Sequence, residues 1–310
     1  MKIALDAMGG DFAPLAVVNG AILAASEVEP NTQIILIGQE EVVKPLLEQK
    51  VNLPDNLEFM HAPEAIGMAE HPLKAFTQKK YSSISVGYSL LKDKKVEAFC
   101  SAGNTGAMLI GAVYSIKLEG LSRPAIMSYV PKTKGGHAIM LDVGANTDCK
   151  PETLQQFGEI GSVFFRQLYQ IEKPRVALIS VGEEEEKGNL ASQTAYKLMK
   201  ENSRINFVGN IEGRDLFKDI ADVYVCDGFV GNIIIKMAES YYEILKKKNF
   251  TDPFFDNFNF ELIGGSPVLG IDGTVIIGHG ISNPQAIKSM VLLAQRMVKA
   301  DIQSKIKEVL

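Results

Sequence analysis

The sequence predicts an α/β protein with a mainly parallel sheet covered on both faces. Two observations predict it. Short apolar runs alternate with longer amphipathic ones from end to end. Six of the apolar runs lead directly into a turn of glycine and polar residues. The strand candidates are 3–6, 33–38, 57–61, 98–100, 124–130, 138–142, 176–181, 207–209, 223–226 and 274–278. Helix candidates lie at 14–27, 40–49, 82–92, 105–118, 152–169, 190–201, 232–247 and 284–309. In the last, Ile287, Met290, Val291, Ala294, Met297, Val298, Ile302 and Ile306 fall on one helical face, and Asn283-Pro284 supplies a cap and a first residue. No repeat or low-complexity linker divides the chain, so we expect one α/β domain over 1–310. Residues 246–260, KKKNFTDPFFDNFNF, break the pattern and read as an irregular projection, within a segment at about 236–262.

A chain of 310 residues is long enough for a sizeable core, burying about 75% of its unfolded surface. Hydrophobic residues at 46% and charged residues at 22% exclude a disordered or fibrous chain. The net charge of −5 argues against a general nucleic-acid binder, which needs a broad basic surface. Cys100, Cys149 and Cys226 form no CxxC pair. Their number and spacing suggest a reducing compartment rather than a disulfide framework or a zinc site. The longest nearly apolar run, 107–116, is well short of the ~20 residues that span a bilayer. The opening MKIALDAMGG turns too soon for a signal peptide. We expect a cytoplasmic protein that can still rest peripherally on a membrane.

The six loops carry the chemistry. They are Asp6-Ala-Met-Gly-Gly-Asp11, Ser101-Ala-Gly-Asn-Thr-Gly106, Asp142-Val-Gly-Ala-Asn146, Gly182-Glu-Glu-Glu-Glu-Lys-Gly-Asn189, Asp227-Gly-Phe-Val-Gly-Asn232 and Gly278-His-Gly280. Ligands of open α/β sheets bind beyond the carboxyl ends of the strands, so these loops are expected to line one cleft. Ser101–Gly106 has the form of an anion cradle, since glycine admits close backbone approach and the following helix start offers N–H groups. Lys187 can add a mobile positive charge, and Asn104, Asn146 and Asn232 can donate to an oxyanion. Each feature also has a plain structural reading. Glycine turns are often only tight turns, Asp142 and Asp227 are natural helix caps, and Glu183–Glu186 can be a solvated face. His279 can be a satisfied structural histidine, and the cysteines resemble small buried hydrophobes. GxxxxGK[ST], HExxH, GxSxG and an intact GxGxxG are all absent from the sequence.

Taken together and in order, DAMGGDFAP, SAGNTGA, Arg123-Pro-Ala125, DVGAN, GEEEEKGN, GNIEGRD, CDGFVGN and GGSPVLGIDGTVIIGHG resemble the bacterial phosphate acyltransferase family, the PlsX type. The resemblance runs from residue 1 to about residue 290. It implies a Rossmann-like three-layer α/β/α sandwich related to the phosphotransacetylases and the isocitrate-dehydrogenase-like fold. It implies a homodimer with no cofactor. The implied reaction converts acyl-[acyl-carrier protein] and inorganic phosphate to acyl phosphate and free carrier protein, and so feeds phospholipid synthesis. A downstream membrane glycerol-3-phosphate acyltransferase is the implied consumer. Two departures stand out: Thr77 and Gln78 replace family arginines, and the arm after Lys236–Glu239 is about twenty residues short. In the family that arm serves dimer packing and membrane association.

Such a reaction needs no protein nucleophile. A phosphate ester has a second pKa of about 6 and free phosphate a similar one, so the dianion is plentiful at neutral pH, and the leaving thiol has a pKa of about 8.5. It needs an anion cradle, an oxyanion hole and an apolar acyl slot. The loop–helix pattern assigns phosphate to Ser101, Gly103, Asn104, Thr105, Gly106 and Lys187, and the oxyanion to Asn146 and Asn232. His279 or Lys187 protonates the thiolate, while Asp6, Asp11, Asp142, Glu183 and Asp227 line the cleft. The acidic carrier protein would dock on Lys92, Lys94 and Lys95, or on Lys246, Lys247 and Lys248. The second cluster, beside Phe250, Phe254, Phe255 and Phe258, suits a membrane or a dimer contact equally. Competing readings are a phosphotransacetylase using short acyl-CoA, a metal- and NAD-dependent decarboxylating dehydrogenase needing clustered aspartates, and a non-catalytic carrier-protein binder.

Overall fold

A computed structural model describes the backbone of residues 1–310 and every side chain except that of residue 260, which closes the phenylalanine-rich stretch. The chain forms two compact units, 1–117 with 260–299 and 118–259 with 300–310, where the sequence suggested one domain.

The first unit opens with β1 (Lys2–Asp6), α1 (Leu15–Ala25), β2 (Gln33–Gly38), α2 (Glu40–Glu48), β3 (Leu57–His61), α3 (Pro72–Gln78), α4 (Ser83–Lys92), β4 (Ala98–Ser101) and α5 (Thr105–Ile116). The second holds β5 (Ala125–Pro131), β6 (His137–Leu141), α6 (Pro151–Tyr169), β7 (Arg175–Ile179), α7 (Leu190–Glu201), β8 (Asn206–Ile211), β9 (Val223–Val225), α8 (Gly228–Lys247) and α9 (Pro253–Asp256). The chain returns to the first unit through α10 (Phe260–Ile263), β10 (Ser266–Leu269), β11 (Thr274–Ile277) and α11 (Pro284–Lys299), and ends in the second with α12 (Ile302–Lys307).

Strands of the first unit lie in the order β3-β2-β1-β4-β11-β10, all parallel except β10. Those of the second run β5-β6-β9-β7-β8, all parallel except β5. Strand interiors are buried on both sides: Ile3, Ala4, Leu5, Ile34, Leu36 and Phe99 in one unit, Ile139, Leu141, Val176, Val223 and Val225 in the other. The expected mainly parallel α/β architecture is present. Two glycines allow close packing in the first unit, of α4 on the sheet and of α5 on α4. A Cβ on Gly87 would strike the Phe99 ring, and one on Gly111 the Tyr88 ring.

Several expected boundaries move. The helix expected at 284–309 breaks into α11 and α12 because Asp301 takes a left-handed φ of 49°. The helix expected from 232 starts at Gly228, where the Asp227 carboxylate caps it by accepting the Val230 N–H. β10 escaped the pattern reading because Pro267 interrupts a short run after two glycines. The stretch 246–260 folds back onto its own unit rather than projecting free: the Phe254 and Phe258 rings stand edge-on to Phe217 at 5.5 and 5.6 Å.

Opposite the loop end of the second sheet, Asp222 accepts hydrogen bonds from the Arg175 guanidinium, the Arg175 backbone N–H and Lys132 Nζ. Burial alone would raise the Asp222 carboxyl, but these donors outweigh it and bring it down to about 2. A carboxyl depressed on folding stabilises above its unfolded pKa near 4 and loses that contribution as pH falls towards 2. Asp222→Asn is therefore expected to cost about 3 kcal/mol at pH 7 in urea unfolding, because it leaves buried Lys132 and half-buried Arg175 with only the exposed Asp219 carboxylate as a partner. The deficit relative to wild type should shrink between pH 4 and pH 2.

Candidate functional site

In the first unit, strand register aligns three loops. Leu5 pairs with Cys100 and Ile277 with Ser101, so Asp6, Ser101 and Gly278 leave the sheet side by side. Asp6 is fully buried. Its carboxylate accepts the Ser101 hydroxyl at 2.7 Å and the Met8 N–H at 3.0 Å, while burial pushes its pKa up. Ser101 Oγ in turn accepts the Gly103 N–H at 2.9 Å. Gly9 closes over this arrangement, where a Cβ would stand 2.5 Å from the Asp6 carboxylate and 2.6 Å from Gly103 N. Asp11 is exposed, and its N–H bonds to the Gly280 carbonyl at 2.7 Å.

Asn104 is the hub of this unit's loops. Its Oδ1 accepts the Ala107 N–H and caps α5. Its Nδ2 donates to the carbonyls of Gly67, Met68 and Glu70, at 3.2, 3.2 and 2.9 Å. Glu70 then holds the Gly67 N–H and Lys79 Nζ. This strap over residues 67–70 was missed in the sequence, where only Gly67 hinted at a turn. The Ser101 hydroxyl, the Gly103 N–H and the Asn104 side-chain amide, all expected at the phosphate, are bonded here within the protein. What α5 leaves unspent are the N–H groups of Thr105 and Gly106 and the exposed Thr105 hydroxyl. Gly106 also admits Pro72, which would collide with a Cβ there. His279 is half-buried between its two glycines, with its carbonyl accepting the Ser282 N–H. Thr77 and Gln78 are exposed, and the Thr77 hydroxyl turns back to the carbonyls of Leu73 and Lys74.

The second unit repeats the device. Leu141 and Leu178 both pair with Val225, so Asp142, Cys226 and Ile179 emerge together. Asp142 is fully buried and accepts the N–H groups of Ile126, Ala145 and Asn146 and the Asn146 amide. Burial again pushes its carboxyl up against these donors. Gly228 lies over it, where a Cβ would stand 2.7 Å from the carboxylate. Asn146, expected as an oxyanion donor, here donates its amide to Asp142 and the Pro124 carbonyl and so shapes the loop. Asn232 is different: it is exposed, and its Nδ2 reaches the Val143 carbonyl only at 3.3 Å. Lys187 and Glu183 are exposed on the loop before α7, which Asn189 caps.

The three cysteines are buried, and desolvation raises each thiol; Cys149 reaches about 12. None is poised as a thiolate nucleophile. Among the described residues no group of three His, Cys, Asp or Glu stands close enough to hold a metal ion. Nor is any helix among them long and apolar enough to cross a membrane. Lys94 pairs with Asp272 and Lys95 with Asp93, so the first expected basic dock is largely neutralised.

Comparison with known proteins agrees with the loops. The family model described as "Fatty acid synthesis protein" matches residues 1–305. The phosphate acyltransferase of Dictyoglomus turgidum is 44% identical, covering 99% of this chain and 97% of its own. That of Syntrophomonas wolfei is 42% identical, covering 95% and 94%. Among solved structures, a phosphotransacetylase from Streptococcus pyogenes superposes with a TM-score of 0.64 at 15% identity, covering 96% and 94%. The 4-hydroxythreonine-4-phosphate dehydrogenase of Klebsiella pneumoniae gives 0.59 at 12%, covering 96% and 99%. These two show the fold alone. Matched over almost its whole length by the family model and by relatives above 40% identity, the chain belongs to the phosphate acyltransferase family.

Proposed function

We propose that this chain moves an acyl group from the thioester of acyl-[acyl-carrier protein] to inorganic phosphate, releasing acyl phosphate and free carrier protein. The observation that carries the reading is the start of α5. There, buried Asp6, Ser101 and Asn104 hold a loop rigid while the Thr105 and Gly106 N–H groups and the Thr105 hydroxyl remain unspent. Backbone donors at a helix start suit a phosphate dianion. The raised cysteine thiols support direct attack by phosphate rather than an acyl-cysteine intermediate.

In the reaction a phosphate oxygen adds to the thioester carbonyl. The new C–O bond forms, the tetrahedral oxyanion collapses, and the C–S bond breaks. The carrier thiolate leaves and takes one proton. In the first unit Thr105 and Gly106 bind phosphate, and His279 is the proton donor we favour there. In the second, Lys187 is assigned to phosphate and Asn232 to the oxyanion, because both are exposed and lightly engaged. Asn104 and Asn146 position rather than touch. The carrier protein is acidic, so Lys246, Lys247 and Lys248, exposed at the end of α8, are the better dock. A homodimer working in the cytoplasm at the membrane surface, handing acyl phosphate to a membrane glycerol-3-phosphate acyltransferase, completes the proposal.

Long-chain acyl-carrier protein, phosphate and enzyme are mixed, acyl phosphate is trapped with hydroxylamine, and released thiol is counted. Phosphate-dependent product from the carrier thioester supports the reading. Product from acyl-CoA alone makes the chain a phosphotransacetylase, and thiol without acyl phosphate makes it a thioesterase. In the same assay Thr105→Ala and Lys187→Ala should each raise the phosphate KM about tenfold, the worth of one charge-assisted contact. Asn104→Ala should lose more activity and about 1 kcal/mol of stability, because it frees a helix cap and the 67–70 turn together. An unchanged KM in Thr105→Ala sinks the cradle assignment.

A further inference from the structure

The motif GNIEGRD, which begins at the end of β8, has no place in the chemistry above, yet one of its residues reaches the Lys187 loop. Asn210 is 7% exposed. Its Nδ2 donates to the Glu184 carbonyl at 2.9 Å, and its Oδ1 is buried without a partner. The one hydrogen bond this amide makes therefore goes to the loop. The same loop is also tied to α7, where Lys200 Nζ donates to the Glu185 carboxylate at 2.8 Å. The Glu184 carbonyl also accepts the Lys187 N–H at 3.1 Å, so one carbonyl joins Asn210 to the turn that presents Lys187. The Lys187 stem crosses Gly182, where a Cβ would meet Cγ at 2.7 Å. On the far side Gln193 Nε2 holds the carbonyls of Glu186 and Gly188, at 2.7 and 3.1 Å. Local backbone geometry brings Asn210 to this position. Gly209 has a φ of 101°, and the β7–β8 register slips between Val176 and Ala177, so that Leu178 lies opposite Asn210. A bulge of this kind re-aims a side chain.

We propose that Asn210 is a positioning residue for phosphate use: it fixes the Glu184–Lys187 turn and thereby the Lys187 ammonium. The proposal rests on the reading of Lys187 as a phosphate ligand. A loose loop leaves the Lys187 charge spread over many positions, so binding loses the advantage of preorganisation.

The test substitutes Asn210→Leu, which is close in shape, removes the donor and also removes the unpaired Oδ1. Stability is then expected to hold, since deleting an unsatisfied buried acceptor offsets the lost bond. Three readouts separate positioning from general damage. Amide hydrogen exchange of residues 183–188 should speed up while the melting temperature stays within a few degrees. The phosphate KM should rise about threefold to tenfold with kcat little changed. On a Lys187→Ala background, Asn210→Leu should add no further rise, because the two residues act as one unit. Asn210→Ser, which retains a shorter donor, should fall between wild type and Asn210→Leu, and it provides a second variant if the leucine folds poorly. Unchanged exchange at 183–188 in both variants overturns the anchoring claim. KM effects that multiply on the Lys187→Ala background overturn the route through Lys187. If Lys187→Ala alone leaves the phosphate KM unchanged, the assignment of Lys187 falls and takes this proposal with it, whatever the exchange data show.

Discussion

A carboxylate buried at the end of a strand, beneath a glycine, is the constraint on which the loops of both units depend. Burying a charge costs several kcal/mol unless donors surround it. Asp142 recruits three backbone N–H groups and one amide, and Asp6 a hydroxyl and an N–H. Those donors belong to the loops, so satisfying the charge fixes the loop path. Gly228 and Gly9 follow from the same requirement, since a side chain on either would occupy the space of the carboxylate. Burial raises both carboxyls and their donors oppose that rise, which leaves each group responsive to any change in its shell.

This arrangement also decides which groups remain for a ligand. Ser101, Gly103, Asn104 and Asn146 look like ideal anion donors, yet each is spent on the protein itself. Among the described residues of these loops, the unspent donors are backbone N–H groups at a helix start and the exposed Thr105 and Lys187 side chains, while exposed Asn232 makes only one long bond, to the Val143 carbonyl. Such a set can bind and orient an anion but supplies no activated nucleophile. Phosphate and a thioester need none, because one is a ready nucleophile and the other carries a good leaving group.

The architecture was legible because it is written in local periodicity: apolar runs, amphipathic runs and the turns between them. Asp227 as a cap and Thr105 at a helix start were within reach for the same reason. What was hidden depends on residues far apart in the chain. Nothing near Asn104 announces that its amide holds residues 67–70, and nothing near Glu184 announces Asn210. The break at Asp301 was hidden for another reason, since the apolar face continues through it to Ile306 and only backbone geometry betrays the interruption. The division into two units was hidden because no linker of unusual composition separates them.

If phosphate itself attacks the thioester, the protein never carries the acyl group. Intact-protein mass spectrometry after mixing excess acyl-[acyl-carrier protein] with enzyme in the absence of phosphate tests this directly, followed by addition of fully 18O-labelled phosphate. The expected result is an unchanged protein mass and no thiol release before phosphate is added, then acyl phosphate carrying all four labels. A protein heavier by one acyl group, formed with a burst of thiol before phosphate arrives, would contradict direct attack and require a nucleophile among the side chains.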